Sequence, residues 1–526
     1  MKKIVKIYFL PILLLLATSS CKKSFDDLTH NNNLPASVTS PLLLNGILNK
    51  MVDLPGTSNE IYSQYFLYNY DYYGNNRYDF GSGDDYYATL KNVLAMEAQA
   101  AKESGSALNP YSALGKYFKA YFFSKMSLET GDIPMSQALQ GLDNLTPAYD
   151  SQKTVMIQCL ALLESANSDL TTLIANNDNS LKNDIFYNNS LPAWQKAVNT
   201  FRIRLLIELS KRADDNADLK VSSQFAAIIS NPAKYPLMTA ASDNLQYISV
   251  IPNNFYPTNP NDFGNEGSRK NTSATYIGLL TKLNDPRVYV TAEPSRYAVD
   301  TLKQSPTDFA SFIGADPGLD LGVMYNNAGL QKYSFINRKR YYSTYTGEPV
   351  ILLGYPELMF NIAEAINRGW INGDAEAYYK SGIKASMDFY GIPSNGSFTA
   401  YFYRPGSTDV TKNSNYDNYN IPVNFDTYYS QPTVKYAGGT NGLTEILAQK
   451  YISLFRQSGL ESYFTYRRTL TPAFTTGPGT GNGSRIAWRF QYPQTEKTAN
   501  TTNYNKALQS QYGGNDDING VMWILK

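Results

Sequence analysis

ILLGYPELMFNIAEAINRGWINGDAEAYYKSGIKASMDFYGI, residues Ile351 to Ile392, decides the fold. Leu358, Ile362, Ile366 and Trp370 recur every four residues, which sets them on one stripe of a helix. The segment from Gly369 to Gly373 breaks the period, and Tyr379, Ile383, Met387 and Tyr390 then define a second stripe. Two amphipathic helices joined by a short glycine-bearing turn hide both stripes by folding onto each other. That makes a helix–turn–helix unit of tetratricopeptide size.

The same pattern extends in both directions. Trp194, Val198, Phe201, Leu205 and Leu209 form one stripe, which Arg202, Arg204, Lys211 and Arg212 are expected to flank. Leu114, Phe118, Phe122 and Met126 form another, and Tyr111, Leu114, Gly115 and Phe118 match the opening of a tetratricopeptide repeat, with Tyr for Trp and Phe for Tyr. The second half of that repeat is absent. A last pair is predicted over Thr444 to Gln457 and Gly459 to Arg468. The expected fold class is therefore mostly all-α, with tetratricopeptide-like helix pairs as the scaffold and few short strands.

Between these units lie Asn244 to Asn271, Ala298 to Pro349 and Ile392 to Gly442, with no sustained period and many Asn, Tyr, Pro and Gly residues. Stretches of that length are functional loops or disorder, and their aromatic content argues against disorder. They are expected to be ordered, loop-rich insertions laid over the helices.

The N-terminus carries an address. In MKKIVKIYFLPILLLLATSSC, Lys2, Lys3 and Lys6 precede an apolar run from Ile7 to Ala17, then small residues lead to Cys21. This is the form of a secretory signal ending in a lipobox-like site. The apolar run falls well short of the ~20 residues of a spanning helix. Residues 1–20 are read as a signal peptide, 21–35 as a tether lipidated at Cys21, and 36–526 as a single helical domain. An ordinary signal peptide with Cys21 incidental is the alternative. Lipidation implies a Gram-negative envelope, and no Asp directly follows the cysteine to suggest retention at the inner membrane.

Composition narrows the chemistry. Lys plus Arg number 46 against 45 Asp plus Glu, so no charge excess points to nucleic acid. The second cysteine, Cys159, lies in the apolar stretch VMIQCLALL and reads as a small buried hydrophobe. The single histidine, His30, falls on the tether, which disfavours Ser-His-Asp, Cys-His and histidine-based zinc chemistry. Glycosidases need only carboxylates, and Glu357 and Glu364 could share a helix face, but a solvated or salt-bridged stripe is the simpler reading. GPGTGNGSR, Gly477 to Arg485, lacks the lysine and helix start of a phosphate loop and reads as a turn. The pairs Asp84-Asp85 and Asp516-Asp517 lack the spaced oxygens of a calcium loop. No cofactor or metal is expected.

Taken together, several blocks resemble the SusD-like (SusD/RagB) outer-membrane lipoproteins, particularly their second large subgroup. The blocks are the opening helical pair, GDIPMSQAL (Gly131 to Leu139), LTPAYDSQKTVM (Leu145 to Met156), LPAWQKAVNTFRIRLLIELSKR (Leu191 to Arg212), LNDPRV (Leu283 to Val288), ILAQKYISLF (Ile446 to Phe455) and YFTYRRT (Tyr463 to Thr469). They run in the family's order across nearly the whole chain. Met135, Glu129-Thr130 and Leu470 depart from its usual residues. The resemblance implies a helical scaffold with a loop-rich binding face and no catalytic motif. It also implies a location at the outer membrane facing the exterior, and a SusC-like TonB-dependent β-barrel as partner, over which the lipoprotein sits as a capturing lid.

Capture of an oligosaccharide or a peptide needs flat rings with hydrogen-bonding groups on a preformed surface. Forty-three tyrosines supply rings in abundance. Two loops combine them with Asn and Arg: NYDYYGNNRYDF (Asn69 to Phe80) and NRKRYYSTYTGE (Asn337 to Glu348). Tyr72, Tyr73, Asn75, Arg77 and Tyr78 from the first, and Arg338, Tyr341 and Tyr342 from the second, are the expected ligand contacts. The alternative for each ring is packing against helices or a partner. A lipid-anchored carbohydrate-active hydrolase and a purely structural lid are the competing functions.

Overall fold

The computed structural model describes residues 38–526. Cys21, His30 and the proposed signal and tether lie outside the described residues. The N-terminal half is built from α1 (Ser40–Lys50), α2 (Tyr87–Ser104), α3 (Pro110–Thr130), α4 (Gln152–Ala175) and α5 (Leu191–Glu208). Each of the last three starts at a side-chain cap. Asn109 accepts from Ser112 N while Ser112 Oγ accepts from Asn109 N, and Ser151 and Ser190 cap α4 and α5. Helix α3 packs between α2 and α4, and α4 packs on α5. The α2–α3 approach is close: a Cβ on Gly115 would stand 2.2 Å from Glu97 Oε1.

Two helices of the central insertion, α6 (Leu321–Gly329) and the short α7 (Arg338–Tyr342), precede the second frame: α8 (Tyr355–Asn367), α9 (Ala375–Phe389), α10 (Gly439–Ser453) and α11 (Glu461–Thr469). Helices α8 and α9 are the predicted pair, joined by the turn Arg368 to Asp374, and α10 and α5 pack on α8. Gly382 of α9 lets the pair close, because a Cβ there would lie 2.7 Å from the Phe360 ring. Leu358, Ile362, Tyr379, Ile383 and Met387 are buried as their spacing requires, and one hydrophobic cluster extends from Leu44 to Leu525. Cys159 is wholly buried within it, and burial pushes its thiol up.

Arginines cross this core. Arg204 and Arg202, expected only to flank their stripe, are both buried. Arg204 donates to Glu357 through Nε at 2.7 Å and to the Leu352 carbonyl at 2.8 Å. Glu364 pairs with Arg468 at 3.0 Å and with Arg368 at 2.8 Å, and Lys450 pairs with Glu461 at 3.1 Å. Glu357 and Glu364 thus form a salt-bridged stripe, not a solvated one. Burial opposes ionisation of Glu364, yet Arg468 and Arg368 outweigh it and hold the carboxyl at about 2. Glu208 has the opposite balance: burial, reinforced by the charge of Glu461, pushes its carboxyl up to about 8.

Among the described residues, three two-stranded antiparallel sheets lie in and beside the insertions. β1 (Phe66–Tyr68) pairs with β3 (Lys270–Thr272), β2 (Leu245–Tyr247) with β4 (Val350–Leu353), and β5 (Asn395–Tyr403) with β6 (Tyr416–Asn424). The β5–β6 hairpin, nine residues a side, falls inside a stretch whose sequence shows no period. Only the C-terminal half of β5 is covered, so alternation is muted where the strand projects into solvent.

Candidate functional site

Both candidate loops reach one face because β1 leads into the first of them and β3 lies beside it. The register sets Tyr68 opposite Lys270, and Asn69 extends the ladder by donating to the Arg269 carbonyl at 3.1 Å. Asn76 closes the loop, its side chain accepting from Tyr68 N at 2.7 Å and donating to Tyr68 O at 2.9 Å. Residues 70–75 are thereby pushed outward as a knuckle.

Tyr70, Tyr72 and Tyr73 sit on that knuckle, 38, 82 and 39% exposed. Their rings touch one another, with Tyr72 and Tyr73 edge-on at 5.6 Å. Tyr325, projecting from α6 and half exposed, comes 4.7 Å from Tyr70. Arg269 lies over the Tyr73 ring at 4.4 Å. Helix α6 is fixed from below by a satellite cluster of Leu67, Ala315, Met324 and Tyr333, and its first turn is capped by Asp320. Four contacting rings in water are a feature that burial does not explain.

Beside the rings opens a depression of about 510 Å³, lined by Tyr73 and Tyr325, by Phe335 and Tyr403, and by Arg296, Arg338 and Arg404. Glu293, buried behind it, accepts from Arg338 N at 2.9 Å and from Tyr403 N at 3.3 Å, and pairs with the Arg338 guanidinium. Burial holds the Glu293 carboxyl above its ordinary value, with Arg338 opposing. One carboxylate therefore fixes both α7 and the end of β5 against the depression. Asn337 adds to this, capping α7 through Arg340 N and donating to the Tyr401 carbonyl at 3.0 Å.

The eight predicted contacts separate cleanly. Tyr73 and Arg338, one from each loop, meet at the depression, and Tyr72 stands exposed beside Tyr73. Asn75 is exposed but turned to its own loop, where its side chain accepts from Arg77 N at 3.0 Å. Arg77 pairs with Asp79 and lies against the Gly481 turn, away from the depression. Tyr78, Tyr341 and Tyr342 are corrections: all three are core residues. Tyr78 donates to the Tyr62 carbonyl at 2.9 Å, Tyr341 lies under Arg456 at 4.7 Å, and Tyr342 packs on Phe263 at 5.6 Å. In α7 Arg338, Tyr341 and Tyr342 share one largely buried face, and of the three only Arg338 lines the depression.

Tyr70, Tyr325, Tyr403, Arg296 and Arg404 were missed. Tyr70 lies within the chosen loop, in an exposed run from Tyr70 to Tyr73, and shares the composition by which Tyr72 and Tyr73 were selected. The others come from three segments remote in sequence, and no local pattern links them.

A helical frame with a ring-rimmed depression has the form of a binding scaffold. Residues 32–493 match the SusD-like family in the form SusD-like_2, described as "Starch-binding associating with outer membrane". The chain belongs to this family. A SusD homologue from Bacteroides fragilis NCTC 9343 is 30% identical with a TM-score of 0.79, covering 93% of this chain and 100% of that one. A second homologue from the same strain is 30% identical with a TM-score of 0.74 over the same shares, 93% and 100%. A chitin-binding SusD homologue from Flavobacterium johnsoniae shares the fold at 22% identity and a TM-score of 0.67, over 93% of this chain and 98% of that one. No curated protein matches the chain. The mostly helical, tetratricopeptide-like fold expected from the sequence is thus the fold of a known family of binding proteins associated with the outer membrane.

Proposed function

We propose that this protein is an outer-membrane lipoprotein, anchored at Cys21 and facing the cell exterior, that captures an oligosaccharide and delivers it to a SusC-like TonB-dependent transporter. The observation that carries this reading is the Tyr70, Tyr72, Tyr73 and Tyr325 cluster at the mouth of a depression. Exposed rings offer the flat apolar faces that pyranose C–H surfaces cover, and the arginines and Gln331 beside them supply hydrogen bonds. The family's starch-binding description and the chitin-binding homologue support a glycan over a peptide.

A tethered glycosidase needs two carboxyl groups about 5–9.5 Å apart across the sugar. Among the described residues, those lining the depression include no Asp or Glu. A glycan array probed with the wild-type protein and with Tyr73→Ala tests capture: saturable binding that the variant loses is expected, and absence of binding to every glycan and peptide would leave only a structural lid. Release of cleaved product, sensitive to one acid-to-amide change, would establish the hydrolase instead. Cys21→Ala is expected to fold normally and leave the membrane fraction in a strain lacking the transporter. Continued sedimentation with outer membranes would make Cys21 incidental.

A further inference from the structure

The charged lining of the depression is one-sided. A guanidinium donates five N–H bonds and accepts none. Arg296, Arg338 and Arg404 all line the depression, and among the described residues no carboxylate lines it with them. A neutral sugar presents hydroxyls, which donate as well as accept, so a site built for it benefits from carboxylate acceptors. Asn69, Ser268, Gln331 and Ser407 add groups that both donate and accept, but the only charges lining the depression among the described residues are pure donors, which complement a group that only accepts.

Each arginine has a counter-ion outside the lining: Glu293 is buried, while Asp300 and Asp417 are partly exposed. Arg296 binds Asp300 through Nε at 3.0 Å and Nη2 at 2.5 Å, which leaves its Nη1 without an acceptor among the described residues. Arg404 binds Asp417 through Nε at 2.6 Å and the Ser414 carbonyl through Nη1 at 2.9 Å, which leaves Nη2. Arg338 is committed at its Nη atoms to Glu293 and the Gly267 carbonyl, and its Nε is buried with no partner. Asp300 and Asp417 thus orient the Arg296 and Arg404 forks without filling them, while Arg338 is held at both Nη atoms and contributes its charge. An uncommitted guanidinium edge is a ready partner for carboxylate or sulfate oxygens, where charge-assisted bonds are roughly twice as strong as neutral ones.

We infer that the depression selects an acidic oligosaccharide, whose uronate or sulfate groups are held by Arg296 and Arg404 beside the charge of Arg338, while its rings lie on Tyr73 and Tyr325. This rests on the capture reading above and gives it a substrate class. The exposed ring cluster favours a sugar over an acidic peptide, because rings of this kind match pyranose faces and an extended acidic peptide has no comparable flat surface to offer.

The test uses the purified protein on oligosaccharides in matched pairs: uronate-bearing chains with their carboxyl-reduced forms, and sulfated chains with their desulfated forms. The acidic member of at least one pair is expected to bind about tenfold or more tightly than its neutral partner, with an advantage that shrinks at high salt. The pair that responds identifies the carboxylate or the sulfate as the source. Arg404→Gln and Arg296→Gln, whose ion pairs are partly solvent-exposed, are each expected to weaken the acidic ligand roughly tenfold and the neutral one less than about twofold. Arg338→Gln is read only alongside a melting curve, since it leaves Glu293 buried and unpaired.

Equal binding of acidic and neutral members, lost from both with Tyr73→Ala, would overturn the inference while leaving capture intact. Binding of no saccharide would remove the capture reading and this inference with it. Preference for oligoglutamate peptides over every saccharide would overturn the assignment to a sugar.

Discussion

The helical frame and the ring-rimmed face use the same residue types in opposite ways. In the frame, Arg204 and Arg468 are buried and paired with the buried carboxylates Glu357 and Glu364, and Tyr78 and Tyr341 are sealed in the core. On the face, Arg296 and Arg404 keep an uncommitted edge, and Tyr72, Tyr73 and Tyr325 are in water. Polar and aromatic groups that satisfy one another make a rigid scaffold, while the same groups left half satisfied make a site.

That contrast can be broken from the frame side first. Arg468→Ala strips Glu364 of its buried partner and is expected to lower stability by about 3–5 kcal/mol, read by urea unfolding. A loss below about 1 kcal/mol would mean that water enters and the network is not closed.

Glu208 gives a pH signature. Its carboxyl, raised from 4.5 to about 8 in the folded protein, stays protonated there while the unfolded chain ionises. A raised pKa contributes stability that is complete below about pH 4.5 and is lost as pH climbs toward 8. Glu208→Gln is expected to flatten that decline, gaining on the order of 1–3 kcal/mol over wild type at the upper end of the window. Parallel stability curves for the two proteins would refute it.

Smaller effects belong to the face. Tyr73→Ala is expected to weaken glycan binding about tenfold with little change in melting temperature, because the ring is already in water. Tyr78→Phe is the complementary control. It loses a buried hydrogen bond to the Tyr62 carbonyl, costs about 1 kcal/mol of stability and leaves binding unchanged. If Tyr78→Phe impaired binding and Tyr73→Ala did not, the division between frame and face would be wrong.

How much of this was legible depends on range. The α8–α9 pair was readable because Leu358, Ile362, Tyr379 and Ile383 report a helical period over neighbouring turns. The family blocks added the binding class. The β5–β6 hairpin escaped because its exposed half carries no alternation. Loop composition selected Tyr73 and Arg338, which line the depression, and the same criterion swept in Tyr78, Tyr341 and Tyr342, which it could not distinguish from them.

By itself the sequence determined the helix pairs, the caps at Asn109, Ser151 and Ser190, and the candidate address ending at Cys21, since each is set by residues within a few turns of one another. Only the tertiary structure decided which tyrosines face water and which arginines keep a free edge. Those outcomes depend on partners far away in the chain: Tyr341 is covered by Arg456, Arg204 is claimed by Glu357, and Tyr325 is carried to Tyr70 by packing beneath α6. Burial and hydrogen-bond satisfaction are properties of the whole fold, and no local pattern encodes them.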